Sequence, residues 1–155
     1  KKPGHWTGPI SAVHFLKYSD QRRLDPLNIV KSLVFQLAVR VPAAAAAVLE
    51  QDPRAVASLT SAEAAFEMLL KPAVAVIHEP IFLLIDALDE GDPHKMEWFG
   101  RRARASGASE GSVKAGGNPA LSLIIKQLAA LPSNVRFIFT SRPDAVAGEL
   151  RHVLW

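Results

Sequence analysis

The residues best suited to chemistry are Asp86, Asp89 and Glu90, which follow directly on the apolar run Ile81-Phe82-Leu83-Leu84-Ile85. A run this rich in Ile, Leu and Phe suits a strand buried on both faces of a parallel sheet. Such a strand does not welcome a carboxylate, so Asp86 is expected at or beyond its C-terminal end. In open α/β sheets that end opens onto the ligand crevice. Carboxylates gathered there would hold a hard divalent cation, above all Mg²⁺ carrying phosphate oxygens. The bland alternative is a core strand followed by a solvated acidic turn.

A second chemical group is Thr140-Ser141-Arg142, at the tip of the apolar run Val135 to Phe139. If the two runs are neighbouring parallel strands, their C-terminal ends share one edge, and strands lie about 4.8 Å apart. Asp86 and Ser141 then fall within roughly two such spacings. Arg142 can reach toward the acids. Without a ligand it would pair with Asp89 or Glu90, as an exposed bridge worth no more than about 1 kcal/mol.

Other chemistries find little support. The chain has no cysteine, which removes disulfides and thiolate metal sites. His5, His14, His78, His94 and His152 are far apart in sequence and suggest no metal cluster. Ser141 lacks the Gly-x-Ser-x-Gly elbow of a hydrolase nucleophile. The net charge of +3 is mild, and no basic tract is interleaved with aromatics, so nucleic acid is not an expected partner. No apolar segment approaches the roughly 18 residues that a membrane span requires, and no secretory signal is visible at Lys1. A soluble, cytoplasmic protein is expected, with no membrane partner.

The 155 residues, 49% of them hydrophobic, suit one domain with a real core. Residues 1–10 read as a loose lead-in. Ser11 to Tyr18 reads as a strand and Ser19 to Arg23 as a polar loop. Asp25-Pro26 opens a helix, because Asp caps well and Pro suits the first helical position. Leu27, Val30, Val34, Leu37, Ala38 and Val41 would form its buried face. Pro42 stops that helix or opens another. The alanine run Ala43 to Ala47 favours a short helix, ended by Asp52-Pro53. Thr60 and Glu63 form a capping box for the next helix. Ala64, Phe66, Leu69 and Leu70 supply its apolar side, and Pro72 should break or kink it. Residues 92–118 are rich in Gly and Ser, carry Arg101, Arg102 and Arg104, and read as a flexible insertion. Asn118-Pro119 starts a helix with an apolar stripe through Leu131, and Asp144 caps a last helix. Strands alternating with helices predict an α/β fold with a parallel sheet, flanking helices and right-handed crossovers.

Three segments carry a family resemblance, over roughly residues 11–146. The run Ile81 to Glu90 resembles the Walker B motif of the STAND class of P-loop NTPases in its NACHT form. Leu131 to Pro143, ending Thr-Ser-Arg-Pro, is similar to that family's sensor strand. His14-Phe15, Leu24-Asp25-Pro26-Leu27 and Ser32 to Ala38 resemble the strand and helix after the phosphate loop. The nephrocystin-like N-terminal NACHT group is the nearest in flavour. The family's Gly-x-x-x-x-Gly-Lys-Ser/Thr loop does not occur in this chain. Its place would lie before Lys1, so the resemblance implies a partial, ASCE-type P-loop NTPase domain spanning residues 1–155 and broken by the insertion.

The resemblance also implies roles. Asp86 matches the metal aspartate, which holds Mg²⁺ through water. Asp89 or Glu90 would polarise the attacking water. Arg142, with Thr140 and Ser141 beside it, would sense the γ-phosphate. Ala87 stands where many hydrolytic ATPases carry a catalytic Glu, which fits a slow switch better than a fast motor. The implied cofactors are Mg²⁺ and ATP or GTP, in the complete protein only. The implied partners are the rest of the NTPase domain, downstream repeat domains and further copies of the protein. Strand 81–86 would lie between strands 12–18 and 135–140, leaving an apolar edge beyond the latter. The alternative is a non-catalytic interaction scaffold that keeps the fold.

Overall fold

The computed structural model describes residues 10–91, 127 and 130–142. The expected insertion at residues 92–118, the helix from Asn118 and the last helix from Asp144 lie outside the described residues. Among the described residues three parallel strands form one sheet in the order β1-β2-β3: Ile10–Phe15, Ile81–Asp86 and Val135–Phe139. The sheet is thus parallel, with helices packed on it, as the alternating pattern predicts. The 81–86 strand is central, as the resemblance implies.

Register explains which side chains meet. Ala12 faces Leu83 and Leu83 faces Phe137, while His14 faces Ile85 and Ile85 faces Phe139. Partners in a parallel register share a face. That face carries Ala12, His14, Ile81, Leu83, Ile85 and Val135, all buried, and it joins the main core. Phe137 and Phe139 stack along it with ring centroids 5.8 Å apart. The opposite face of β2 is only half-buried at Phe82, Leu84 and Asp86. Burial on both faces, expected from the unbroken apolar run, is therefore corrected: an apolar run does not report how fully each face is covered. On the same face, Ile138 of β3, the register partner of Leu84, is 42% exposed.

Helix α1 (Gln21–Leu24) replaces the expected polar loop, because the Asp20 side chain accepts from the Arg22 N–H and starts a turn. Asp25 ends α1 and caps α2 (Pro26–Arg40), accepting from the Leu27 N–H at 3.0 Å. The buried face of α2 is Ile29, Val30, Leu33, Val34 and Leu37. It is rotated from the expected one, so Leu27, Ala38 and Val41 sit at its margin. Val41 in extended conformation closes α2, and Pro42 opens α3 (Pro42–Leu49), so the proline does both things left open by the sequence. Asp52-Pro53 does not simply end a helix; it caps the short α4 (Pro53–Ala57).

The next helix begins one residue later than its expected capping box. Ser61, not Thr60, caps α5 (Ala62–Ala65) by accepting from the Ala64 N–H at 3.0 Å. The chain then widens into a π turn, Phe66–Leu70, before α6 (Lys71–Ala75). Pro72 was expected to break or kink this segment. Instead the widened turn accommodates it: Lys71 N–H reaches back to the Phe66 carbonyl, and helix continues through the proline.

One helix also protects the sheet. Gln36 of α2 accepts from the Val13 N–H at 3.0 Å and donates to the Val13 carbonyl at 2.8 Å. Its amide imitates a neighbouring strand at the outer edge of β1, which would otherwise present unpaired backbone groups.

Candidate functional site

The C-terminal tips of β2 and β3 are sewn together by backbone. Thr140 N–H donates to the Ile85 carbonyl at 3.2 Å, and Leu88 N–H donates to the Thr140 carbonyl at 2.8 Å. On the other side Leu16 N–H donates to the Asp86 carbonyl at 3.1 Å, which prolongs the β1–β2 pairing. Asp86 is the last residue of β2, at the strand end where a carboxylate was expected.

Ala87 turns the chain there with φ 57°, a left-handed conformation that few residues other than glycine adopt freely. It is held from both sides. Its N–H donates to Thr140 Oγ1 at 2.9 Å, and its carbonyl accepts from the Glu90 N–H at 2.8 Å. Thr140 Oγ1 in turn donates to Asp86 Oδ1.

A short 3-10 turn, Leu88–Gly91, follows. Leu88 anchors it in the core. The turn carries Asp89 inward, where it is 1% exposed. Arg142 meets it with two donors: Nε lies 2.8 Å from Asp89 Oδ2, and the backbone N–H reaches Oδ1 at 3.3 Å. The same guanidinium gives Nη2 to Glu90 Oε1 at 3.1 Å. The other oxygen of Glu90 accepts from the Tyr18 N–H at 3.0 Å, so Glu90 joins the loop after β1 to the tip of β3. That bond draws Tyr18 out of the expected strand, and β1 ends at Phe15.

Two expectations change here. The Arg142–Asp89 bridge is not a surface contact, because Asp89 is buried although Arg142 is 58% exposed. Nor do the three acids gather around one point. Among the described residues no group of three or more His, Cys, Asp or Glu is placed to hold a metal. The left-handed Ala87 and the 3-10 turn send Asp89 and Glu90 toward Arg142, away from Asp86.

The donor set that remains fits Mg²⁺ in one way. Mg²⁺ is commonly held by one or two carboxylates, with water and phosphate oxygens completing the shell. Asp86 supplies one carboxylate at the rim. Ser141 is half-buried, and its Oγ lies 3.4 Å from the Arg142 carbonyl. His14 is buried with Nε2 3.0 Å from the Arg23 carbonyl, a core histidine tied to α1.

Sequence reasoning brought Asp86, Asp89, Glu90, Thr140, Ser141 and Arg142 to one edge, and all six lie there. It missed Tyr18, whose contribution is a backbone N–H and leaves no trace in residue type. It also missed that Thr140 is engaged by protein groups.

No helix among the described residues is long and apolar enough to cross a membrane. A family model described as Nephrocystin 3, N-terminal, matches residues 6–142. No curated protein and no solved structure matches the chain significantly.

Proposed function

Because the chain belongs to the nephrocystin 3 N-terminal family, we propose that it forms the metal and sensor side of a NACHT-type, STAND-class nucleotide switch. Its ligand in the complete protein is ATP or GTP with Mg²⁺. The observation that carries this reading is the placement of Asp86 and Arg142 on one rim, at the tips of adjacent parallel strands. A cation-binding carboxylate and a guanidinium on one strand edge suit a phosphate held between opposite charges.

Within this reading Asp86 would hold Mg²⁺, which would neutralise phosphate charge. Arg142 leaves Asp89 and Glu90 to meet a phosphate oxygen, with Ser141 beside it. Of the two acids suited to polarising water, Glu90 is the better placed. Its side chain keeps 22% exposure against 2% for Asp89. A general base must reach the water it polarises, and Asp89 is buried against Arg142. The switch acts in the cytoplasm, gating self-association with downstream repeat domains.

A second reading has its own support. Arg142 is already neutralised by two carboxylates of the same chain. A site closed on itself suits an interaction scaffold that keeps the fold without nucleotide chemistry.

Fluorescent ATP and GTP analogues, titrated with Mg²⁺ against the protein that contains this chain, separate the two. Loss of binding by about tenfold or more, some 1.4 kcal/mol, in both Asp86→Ala and Arg142→Ala supports the switch. Binding unchanged in both variants, or absent from the parent protein, leaves the scaffold. The 155-residue chain alone is expected to release no phosphate from ATP, since it contains no phosphate loop and positioning dominates phosphoryl transfer. Turnover that disappears in Asp86→Ala would contradict this.

A further inference from the structure

We infer that Thr140 is a positioning residue for Asp86, acting through a one-way relay of hydrogen bonds, and not a contact to the ligand. The inference rests on the nucleotide-switch reading for its link to a metal, but its geometry stands alone.

The relay has a fixed direction. A backbone N–H can only donate, so Thr140 Oγ1 must accept from Ala87 N–H, which lies 2.9 Å away. A carboxylate can only accept, so the Thr140 hydroxyl hydrogen must point to Asp86 Oδ1. A threonine hydroxyl has one hydrogen. With that hydrogen directed at Asp86, Thr140 has no donor left for a phosphate oxygen.

The backbone reinforces the relay. Thr140 N–H and carbonyl are both bonded across to β2 and its exit turn. The hydroxyl therefore sits on a frame that cannot drift relative to Asp86. Ala87 holds a left-handed conformation, which is costly for a residue that carries a Cβ. Such a conformation persists where its surroundings over-determine it, and the Thr140 hydroxyl is one of the two groups that fix Ala87. A glycine at residue 87 would turn without help, whereas alanine needs the hydroxyl. Thr140 thereby orients Asp86 twice, by bonding Oδ1 directly and by fixing the peptide that follows it. With Oδ1 engaged by Thr140, Asp86 Oδ2 is the oxygen that would be left to hold a metal.

The test uses the full chain with Thr140→Val, which keeps the shape and removes the hydroxyl, and Thr140→Ser, which restores the hydroxyl. Two quantities are read: exchange of the Ala87 amide hydrogen by NMR, and binding of Mn²⁺ alone by electron paramagnetic resonance. Amide exchange at Ile81 to Leu83 serves as the internal reference for the integrity of the sheet. Thr140→Val is expected to speed Ala87 exchange relative to that reference and to weaken Asp86-dependent Mn²⁺ binding by about 10-fold or more, the usual effect of losing a group that orients a metal ligand. Thr140→Ser is expected to restore both. Unchanged Ala87 exchange in Thr140→Val, or a serine variant that behaves like valine, overturns the inference. If the parent chain shows no Mn²⁺ binding that depends on Asp86, the link from Thr140 to a metal ligand is lost, while the exchange measurement still decides the relay.

Discussion

Arg142 and Asp89 are joined twice, by Nε to Oδ2 at 2.8 Å and by the Arg142 backbone N–H to Oδ1 at 3.3 Å. One bond comes from a side chain and the other from the main chain. The carboxylate thus fixes the position of the β3 tip as well as the guanidinium.

Arg142→Ala should destabilise the fold by about 1–3 kcal/mol in urea unfolding, because a buried carboxylate loses a charged partner. Arg142→Lys should cost less than alanine but more than nothing, since lysine keeps the charge without the planar fork. A double-mutant cycle with Asp89→Asn should show strong coupling. A cycle energy indistinguishable from zero would mean that the bridge does not hold the tip.

Gln36→Glu should be more damaging than Gln36→Ala. Alanine forfeits two hydrogen bonds, about 1 kcal/mol once the edge is hydrated. Glutamate can still accept from Val13 N–H, but its second oxygen faces the Val13 carbonyl, acceptor against acceptor. Both variants should expose the outer edge of β1, which is read as faster exchange at Val13 and as concentration-dependent association by light scattering. Equal stabilities for the two variants would contradict the strand-mimic role.

Ser61→Ala should cost about 1 kcal/mol, the usual loss of a helix cap. Thr60→Ala should change stability by less than about 0.5 kcal/mol. The reverse order in thermal unfolding would place the helix start at Thr60 after all.

Asp20 bears on acid stability. Its hydrogen bond from the Arg22 side chain holds its carboxyl below the ordinary value of 3.8, against a smaller opposing effect of desolvation. A carboxyl depressed in the folded state stabilises above its unfolded value and loses that contribution as the pH falls. Asp20→Asn keeps a capping oxygen but not the charge. The parent and the variant should therefore differ at neutral pH and converge as the pH drops below 3.8. A gap that persists unchanged into strong acid would rule out the ion pair as its source.

Much of this architecture was legible from residue type. Strand β2 matches the expected 81–86 at both ends, because Pro80 precedes it and Asp86 cannot continue a buried run. Helix α2 starts at Asp25-Pro26 for the same reason that a reader would start it there. Helices α1 and α4 escaped because a turn of four or five residues has no periodicity to detect. Asp52-Pro53 shows the ambiguity: the dipeptide that ends one helix also begins the next. At the site, residue types placed the acids and Arg142 on one edge but did not say which way each acid would turn. That choice is made by the backbone of Ala87 and by Tyr18 N–H, and neither has a signature in the sequence.

The widened turn at Phe66–Leu70 bears on how this chain can change length over generations. A π turn is an α-helix with a single surplus residue. Deleting that residue would return the segment to regular winding and leave α5 and α6 presenting their faces as before. Regular winding, however, drives the ring of Pro72 against the carbonyl four positions before it. Neither change is comfortable alone: the deletion needs the proline gone, and the proline needs the surplus residue. In descendants and cousins of this chain the two should be inherited as one character, kept together or lost together.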